Sequence, residues 1–162
     1  MTDEDLAAMA AAARDWTDKH RTLYLESGGA KGHIWTTAPF GGYAFTTHCM
    51  IRYRGRKTGK TMIAPLGYVD MRGEVLVCAS YGGADRHPAW YLNIQGSKEI
   101  EFQIATEAFR ATWREPKGEE RETIWNHLVE AFPLYGAYQA ATTRVIPVIM
   151  MNPIEPIEVF KA

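Results

Sequence analysis

The sequence predicts a mainly β domain of the α+β class, with flanking helices around a curved antiparallel sheet or barrel. Two observations lead there. Short runs with a period of two follow one another through the middle of the chain, and helical periodicity is confined largely to its start and end. The 162 residues suit one domain, enough to bury a core without disulfides or a structural metal.

In chain order, Thr2 with Asp5 three residues on is a capping-box signal, and Asp3 and Glu4 suit a helix N-terminus. Leu6, Met9, Ala10, Ala13, Trp16, Leu23 and Tyr24 recur at helical spacing, and Gly28-Gly29 should end the helix. This segment, residues 1–29, is expected to cover the barrel or a dimer partner, with residues 30–162 forming the barrel domain. Ala30–Tyr43 reads as a connector with Trp35 tucked inward. From Phe45 the period becomes two: Phe45, Thr47, Cys49, Ile51 and Tyr53 alternate with Thr46, His48, Met50 and Arg52, as in a half-buried strand. Thr61–Asp70 and Glu74–Ser80 read as the next two strands, turning at Met71-Arg72-Gly73. After the Gly-rich loop Tyr81–His87, Pro88 opens a short helix, Ala89–Ile94, that Gly96 stops. Glu99–Ala105 and Glu107–Glu115 are two more strands. Lys117–Phe132 is an amphipathic helix carrying Ile124, Trp125, Leu128, Val129 and Phe132 on one side. Pro133 interrupts it, and a second short helix carries Tyr135 and Tyr138. Val145–Met151 is a final apolar strand, with Pro147 inside it implying an edge or a bulge.

Composition narrows the function. A net charge of −1 gives no general attraction to nucleic acid or anionic lipid, so any anion site must be local. Five Trp and eight Tyr are many for a small domain and suit flat ligands or an oligomer interface. Cys49 and Cys78 fall in apolar strand-like runs and read as buried thiols, which fits a reducing cytoplasm. The acidic first thirty residues do not read as a signal peptide, and no run is apolar enough for a membrane span. His20, His33, His48, His87 and His127 lack partners at metal-ligand spacing, so no metal role is expected. There is no nucleophile elbow, and hydrolase chemistry is unsupported.

Three segments carry chemistry. Gly55-Arg56-Lys57-Thr58-Gly59-Lys60-Thr61 mimics a P-loop, but three residues separate its glycines where four are required, and a strand follows where a helix is required. From a hairpin, the same turn can still bind an anion through outward N–H groups and the charges of Arg56, Lys57 and Lys60. An ordinary solvated basic turn is the plain alternative. Ser80-Tyr81-Gly82-Gly83-Ala84-Asp85 leads from a strand to a helix, and its glycines allow close backbone approach to a ligand; a plain connecting loop is the alternative. Tyr135 and Tyr138 share a helix face with Phe132, which can be core packing or a wall of donors facing a substrate.

Taken together, and in order, Gly55-Arg56-Lys57-Thr58-Gly59, Pro65-Leu66, Ser80-Tyr81-Gly82-Gly83, Pro88-Ala89-Trp90-Tyr91-Leu92-Asn93, Glu120-Arg121 with Trp125, Phe132-Pro133-Leu134-Tyr135-Gly136-Ala137-Tyr138-Gln139 and Thr143-Arg144-Val145-Ile146-Pro147-Val148 resemble the deazaflavin-dependent nitroreductase and quinone reductase family. That family is a branch of the split β-barrel, FMN-binding-like superfamily. The resemblance runs from about Thr46 to Pro153. It implies a split barrel holding coenzyme F-420, a deazaflavin with a phospholactyl-oligoglutamate tail.

Carried over by motif, Arg56, Lys57, Thr58, Lys60, Pro65, Ser80, Tyr81, Gly82, Gly83 and Trp90 are the coenzyme-binding candidates. Asn93 accompanies Trp90 on the short helix, and Trp90 itself reads as mainly structural. Tyr135 and Tyr138 are the catalytic candidates, with Tyr135 to hydrogen-bond the acceptor oxygen or supply a proton. The implied reaction is hydride transfer to a quinone, an activated alkene or a nitroaromatic. An FMN enzyme of the same fold and a non-catalytic coenzyme carrier are the alternatives. Three departures stand out: Gly67 where members often carry an aromatic, Tyr81 where Lys or another polar residue is common, and Met62 in place of a base. Fewer charges near the tail should weaken its binding unless Lys60 or Arg86 compensates. A cytoplasmic protein is expected, with a homodimer and peripheral contact at the inner membrane surface left open.

Overall fold

The computed structural model describes residues 2–162, without the side chain of Leu6, whose place in the first helix's apolar stripe therefore lies outside the described residues. The strands are β1 (Ile34–Trp35), β2 (Thr46–Arg54), β3 (Thr61–Met71), β4 (Glu74–Cys78), β5 (Glu99–Ile104), β6 (Glu107–Arg114) and β7 (Val148–Ile157). The helices are α1 (Asp3–Glu26), α2 (Ala89–Ile94), α3 (Gly118–Ala131) and α4 (Leu134–Ala140). Every strand pairing is antiparallel, in the order β1-β2-β3-β4-β7-β6-β5, and a β2–β5 pairing closes β2 to β7 into a barrel. Short hairpins make this order natural, and closure removes the free edges that a small open sheet would expose. At the β3–β4 turn Arg72 and Gly73 both take positive φ, 56° and 89°, the geometry of a tight hairpin.

Alternation along the strands sorts the apolar residues into an inner core and two outer ones. Cys49, Ile51, Val77, Phe102 and Ile149 fill the barrel, with Trp90 and Ile94 of α2 packed among them. Leu76, Cys78, Val148 and Met150 face outward beneath Ile124 and Leu128 of α3. Met50 and Ala108 face outward beneath Tyr24 of α1 and Phe160. Both cysteines are free and buried.

Two expectations need correction. The half-buried strand β2 is buried on both faces from His48 to Ile51. Its second face is covered by α1, whose Tyr24 is fully buried and lies with its hydroxyl 3.2 Å from the carbonyls of both His48 and Gln103. A helix arriving from elsewhere in the chain leaves no mark on the strand's own alternation. Pro147 is not inside the last strand: β7 begins at Val148 and runs on to Ile157. The prolines it does contain, Pro153 and Pro156, lie beyond its pairing with β4 and beside a register shift at Arg110/Ala111. There β7 is an edge, where a missing N–H costs nothing.

α1 carries the expected capping box between Thr2 and Asp5. Its first ten residues are exposed where described. Packing starts at Trp16, edge-on to Phe40 at 5.1 Å, and continues with His20 stacked on Trp35 at 4.4 Å.

Candidate active site

A cleft of about 560 Å³ opens on the outer side of β3, in the gap between the parts of the barrel covered by α1 and by α3–α4. That volume is in the range of small-molecule sites. Ile63, Pro65, Gly67 and Val69 occupy alternate positions of β3 along its floor; Trp16 and His20 contribute from α1, and Phe132, Tyr135 and Tyr138 from the opposite side.

One wall is formed by the loop that follows β4. Tyr81, Gly82 and Gly83 have φ of +44°, +62° and +80°, three successive left-handed residues of which one is not glycine. Strain at Tyr81 must be held by surrounding bonds. Arg144 supplies them: its guanidinium donates to the carbonyls of Ala84 at 2.7 Å, Ser80 at 2.8 Å and Ala79 at 3.2 Å. It also lies 3.1 Å from His87 Nδ1. That contact requires a neutral His87 accepting from the guanidinium, and burial together with Arg144's charge lowers the His87 pKa accordingly. Thr142 ties the loop's far side through Asp85 at 2.8 Å. Gly83 is buried against α4, where a Cβ would stand 2.7 Å from the Tyr138 carbonyl oxygen.

Beyond Met62 lies the β2–β3 turn. Gly55 N–H donates to the Lys60 carbonyl and Gly59 N–H to the Gly55 carbonyl, both at 2.8 Å, with Gly59 at φ +69°. Asn93 Oδ1 on α2 accepts from both the backbone N–H and Nη1 of Arg56 at 2.9 Å, tying the turn to the helix that carries Trp90. Lys60 N–H is taken by the Thr58 hydroxyl. The N–H groups left without a partner among the described residues are those of Lys57 and Thr58, so the outward nest is narrower than the turn's length suggested.

At the other end Tyr135 reaches over β3. Its hydroxyl lies 3.3 Å from where a Cβ on Gly67 would be, so the glycine that departs from the family pattern leaves the space this side chain uses. Tyr135 and Tyr138 pack edge-to-face at 6.1 Å. Burial raises the pKa of both, most strongly for Tyr135, so both hydroxyls stay protonated donors at neutral pH. Burial likewise pushes the Cys78 thiol up to about 12, which leaves it an inert apolar group in the lining.

The structure brings Pro65, Ser80, Tyr81, Gly82, Trp90, Tyr135 and Tyr138 into the lining of one cleft. Gly83 sits behind that lining, and Arg56, Lys57, Thr58 and Lys60 lie outside it on the exposed turn. Trp90 is both cleft lining and barrel core, at 6% exposure. Of the expected compensating bases, Lys60 is on the turn, and Arg86 folds over the Tyr81 ring at 5.5 Å. Sequence reasoning missed Arg144, His20, His48 and Gly67 as parts of the site. Arg144 had a signal, since it lies in a quoted motif; the histidines had none. Among the described residues no three metal-ligating side chains converge, and no helix is long and apolar enough to cross a membrane.

The profile of the family described as F420H(2)-dependent quinone reductase matches residues 16–153. The F420H(2)-dependent quinone reductase Rv1261c of Mycobacterium tuberculosis is 28% identical over 82% of this chain and 87% of its own length. Rv3178 of the same organism, a candidate for the same activity by its name, is 33% identical over 64% of this chain and 87% of its own. A solved F420-H2 dependent reductase, FDR-A, is 37% identical and superposes with a TM-score of 0.59 over 65% of this chain and 93% of that one. A second solved relative, described as a domain-swapped dimer, is 33% identical with a TM-score of 0.62 over 86% and 99% of the two chains. The heme storage protein HutZ of Vibrio cholerae, 10% identical with a TM-score of 0.51 over 70% of this chain and 87% of that one, shares the fold alone.

Proposed function

The chain belongs to the F420H(2)-dependent quinone reductase family and is an oxidoreductase using the reduced deazaflavin, and on that premise we propose that its electron acceptor is a quinone bound beneath Tyr135. An activated alkene or a nitroaromatic has the same electron-poor character and is the wider class. The observation that carries the reading is the Tyr135 hydroxyl, a protonated donor with no protein partner among the described residues, standing over Gly67 in the cleft lining.

The residues present fit the coenzyme. The lining offers flat apolar contact from Pro65 and Trp90, and the left-handed backbone at Gly82 has open space where a Cβ would be. The free N–H groups of Lys57 and Thr58, with the side chains of Arg56, Lys57 and Lys60, suit a phosphate beyond the cleft's edge. Ser80, Tyr81, Gly82 and Gly83 would hold the ring side, kept in shape by Arg144. When bound, the reduced coenzyme supplies a hydride and its two electrons. The protein's share is then orientation, exclusion of water and polarisation of the acceptor. Tyr135 donates to the carbonyl oxygen on which negative charge grows, and is the group placed to give that oxygen its proton. Tyr138 packs against the Tyr135 ring and fixes its direction. FMN in place of the deazaflavin has no support from the relatives, and a wall of donors facing an acceptor argues against a mere carrier.

Titrating the apo-protein with the oxidised deazaflavin and with FMN, then following oxidation of the reduced deazaflavin by naphthoquinones, tests this. Binding of the deazaflavin and turnover with quinone are expected, with kcat falling at least ~100-fold in Tyr135→Phe. Unchanged turnover in that variant with several acceptors would remove Tyr135 from the chemistry. The domain-swapped relative supports a homodimer, which light scattering of the purified protein would detect as twice the chain mass.

A further inference from the structure

His48 faces the same cleft and is not explained by packing. It stands on β2 at the position paired with Gly67, on the face that the Tyr135 hydroxyl approaches, so an acceptor and a donor flank one glycine. Its Nδ1 lies 3.0 Å from the Thr46 carbonyl oxygen, and a carbonyl can only accept. Nδ1 therefore carries the proton, and Nε2 is left as a bare lone pair. Among the described residues no protein group bonds that nitrogen. Nor is it sealed inside the protein, for among the described residues the fully buried unpartnered side-chain atoms are His20 Nδ1 and Trp35 Nε1, while His48 lines the cleft.

The ring is also fixed. His20 meets it edge-on at 4.8 Å, and His20 is itself held by its stack on Trp35 and by Nε2 donating to the Gly32 carbonyl at 2.8 Å. Burial and the neighbouring rings of His20 and His33 oppose a second proton on His48. The site thus offers a preset acceptor that an entering ligand covers. A ligand without a donor at that point leaves Nε2 unpaired, which is costly in a closed site.

Resting on the quinone reading above, we propose that His48 Nε2 accepts a hydrogen bond from a hydroxyl of the substrate, while Tyr135 donates to the neighbouring carbonyl. The cleft would then prefer acceptors that carry an alcohol next to the reducible carbonyl. Preset donor–acceptor pairs of this kind discriminate by far more than a missing methylene does.

The test compares kcat/KM of the holoenzyme for 2-hydroxymethyl-1,4-naphthoquinone with that for its 2-methoxymethyl and 2-methyl analogues. The hydroxyl compound should be favoured at least ~10-fold. In His48→Leu that preference should collapse toward unity, and in His48→Gln, which keeps an acceptor oxygen, it should partly return. A ratio between substrates is unaffected by the fraction of variant that folds. Equal kcat/KM for the three compounds in the unaltered enzyme overturns the inference while leaving the quinone reading intact. So does weakened binding of the deazaflavin alone to His48→Leu, since that assigns Nε2 to the coenzyme. Absence of turnover with any naphthoquinone fails the quinone reading itself, and the inference falls with it.

Discussion

The basic end, beyond the cleft's edge, comes from one hairpin, Gly55–Lys60, and most of its residues are exposed. At the closed end the lining groups come from α1, β2, β3 and α4, as His20, His48, Gly67 and Tyr135, and both histidines are buried. The first end is local chemistry: two glycines, three bases and a turn between strands. The second is tertiary, and exists only once a helix from the N-terminus and another from the C-terminal half have closed over β3. A local site can lose a side chain and keep its shape. A tertiary one ties ligand binding to folding. Between the two ends lies the Ser80–Gly83 loop, whose sequence is local but whose conformation is held from a distance by Arg144.

That loop gives the largest expected effect. In Arg144→Ala the carbonyls of Ala79, Ser80 and Ala84 lose a charged donor together, which should cost roughly 3 kcal/mol of stability. Deazaflavin binding should fall with it, at least ~10-fold, because the strained turn at Tyr81 then keeps only the Thr142–Asp85 tie and the contact with Arg86. Arg144→Lys should rescue little, since one ammonium cannot address three carbonyls spread over a planar fork. Chemical denaturation and coenzyme titration check both. A variant as stable as the parent would mean that the loop holds itself and belongs with the local end.

The neighbouring glycines separate backbone strain from packing within the same loop. Gly82→Ala meets open space at φ +62° and should cost about 1–2 kcal/mol, the price of a left-handed alanine. Gly83→Ala meets the same strain at φ +80° and also places its Cβ 2.7 Å from the Tyr138 carbonyl, so about 1 kcal/mol more is expected. Equal melting curves for the two variants would mean that α4 gives way, and that the tyrosine wall is less rigid than its contacts imply.

The same division explains what could be read before folding. β3 to β6, the turns between them and the break at Pro133 were legible because period, glycine and proline are local signals. The outer burial of β2 was not, since the covering residues, His20 and Tyr24, come from α1 and fit the strand only in three dimensions. β7 misled because the apolar run ends at Met151, while pairing with β6 carries the strand on through Pro153 and Pro156. At the site, the coenzyme-side candidates were quoted from contiguous motifs. His48 is hidden by its ordinary place in an alternating strand, and the absent side chain at Gly67 takes its meaning only from Tyr135 above it.

A pH scan reads the closed end most strongly, since His48 carries the largest histidine shift. Burial and the rings of His20 and His33 hold the His48 pKa down to about 4, and burial lowers that of His20. Between the ordinary histidine value of 6.5 and about 4, the unfolded chain binds protons that the folded one refuses. Stability is therefore fully present above pH 6.5 and declines as pH falls through that window. The slope is at most ~1.4 kcal/mol per pH unit for each group. Urea denaturation at intervals from pH 7 to pH 4.5 should show the decline, and His48→Gln should flatten it. A parallel decline in that variant would assign the loss to the other histidines with lowered pKa, His20, His33 and His87.

The smallest effect belongs to the basic end, and it sharpens the contrast most. Arg56 is exposed, and its side chain makes one hydrogen bond, to Asn93, which a backbone N–H also reaches. Arg56→Ala should therefore leave the melting temperature of the apo-protein within a degree or two, since an exposed polar contact is worth at most about 0.5–1 kcal/mol. What it should change is the grip on the coenzyme: deazaflavin affinity should fall about 3–10-fold at low salt, and the difference from the parent should shrink as salt screens the turn. Truncating the coenzyme's glutamate tail while keeping its phosphate separates the two anionic parts. If Arg56 serves the phosphate, the variant loses the same factor with either form. A loss confined to the long-tailed form would move Arg56 to the tail, and would mean that the charge absent at Met62 is made good from within the turn itself.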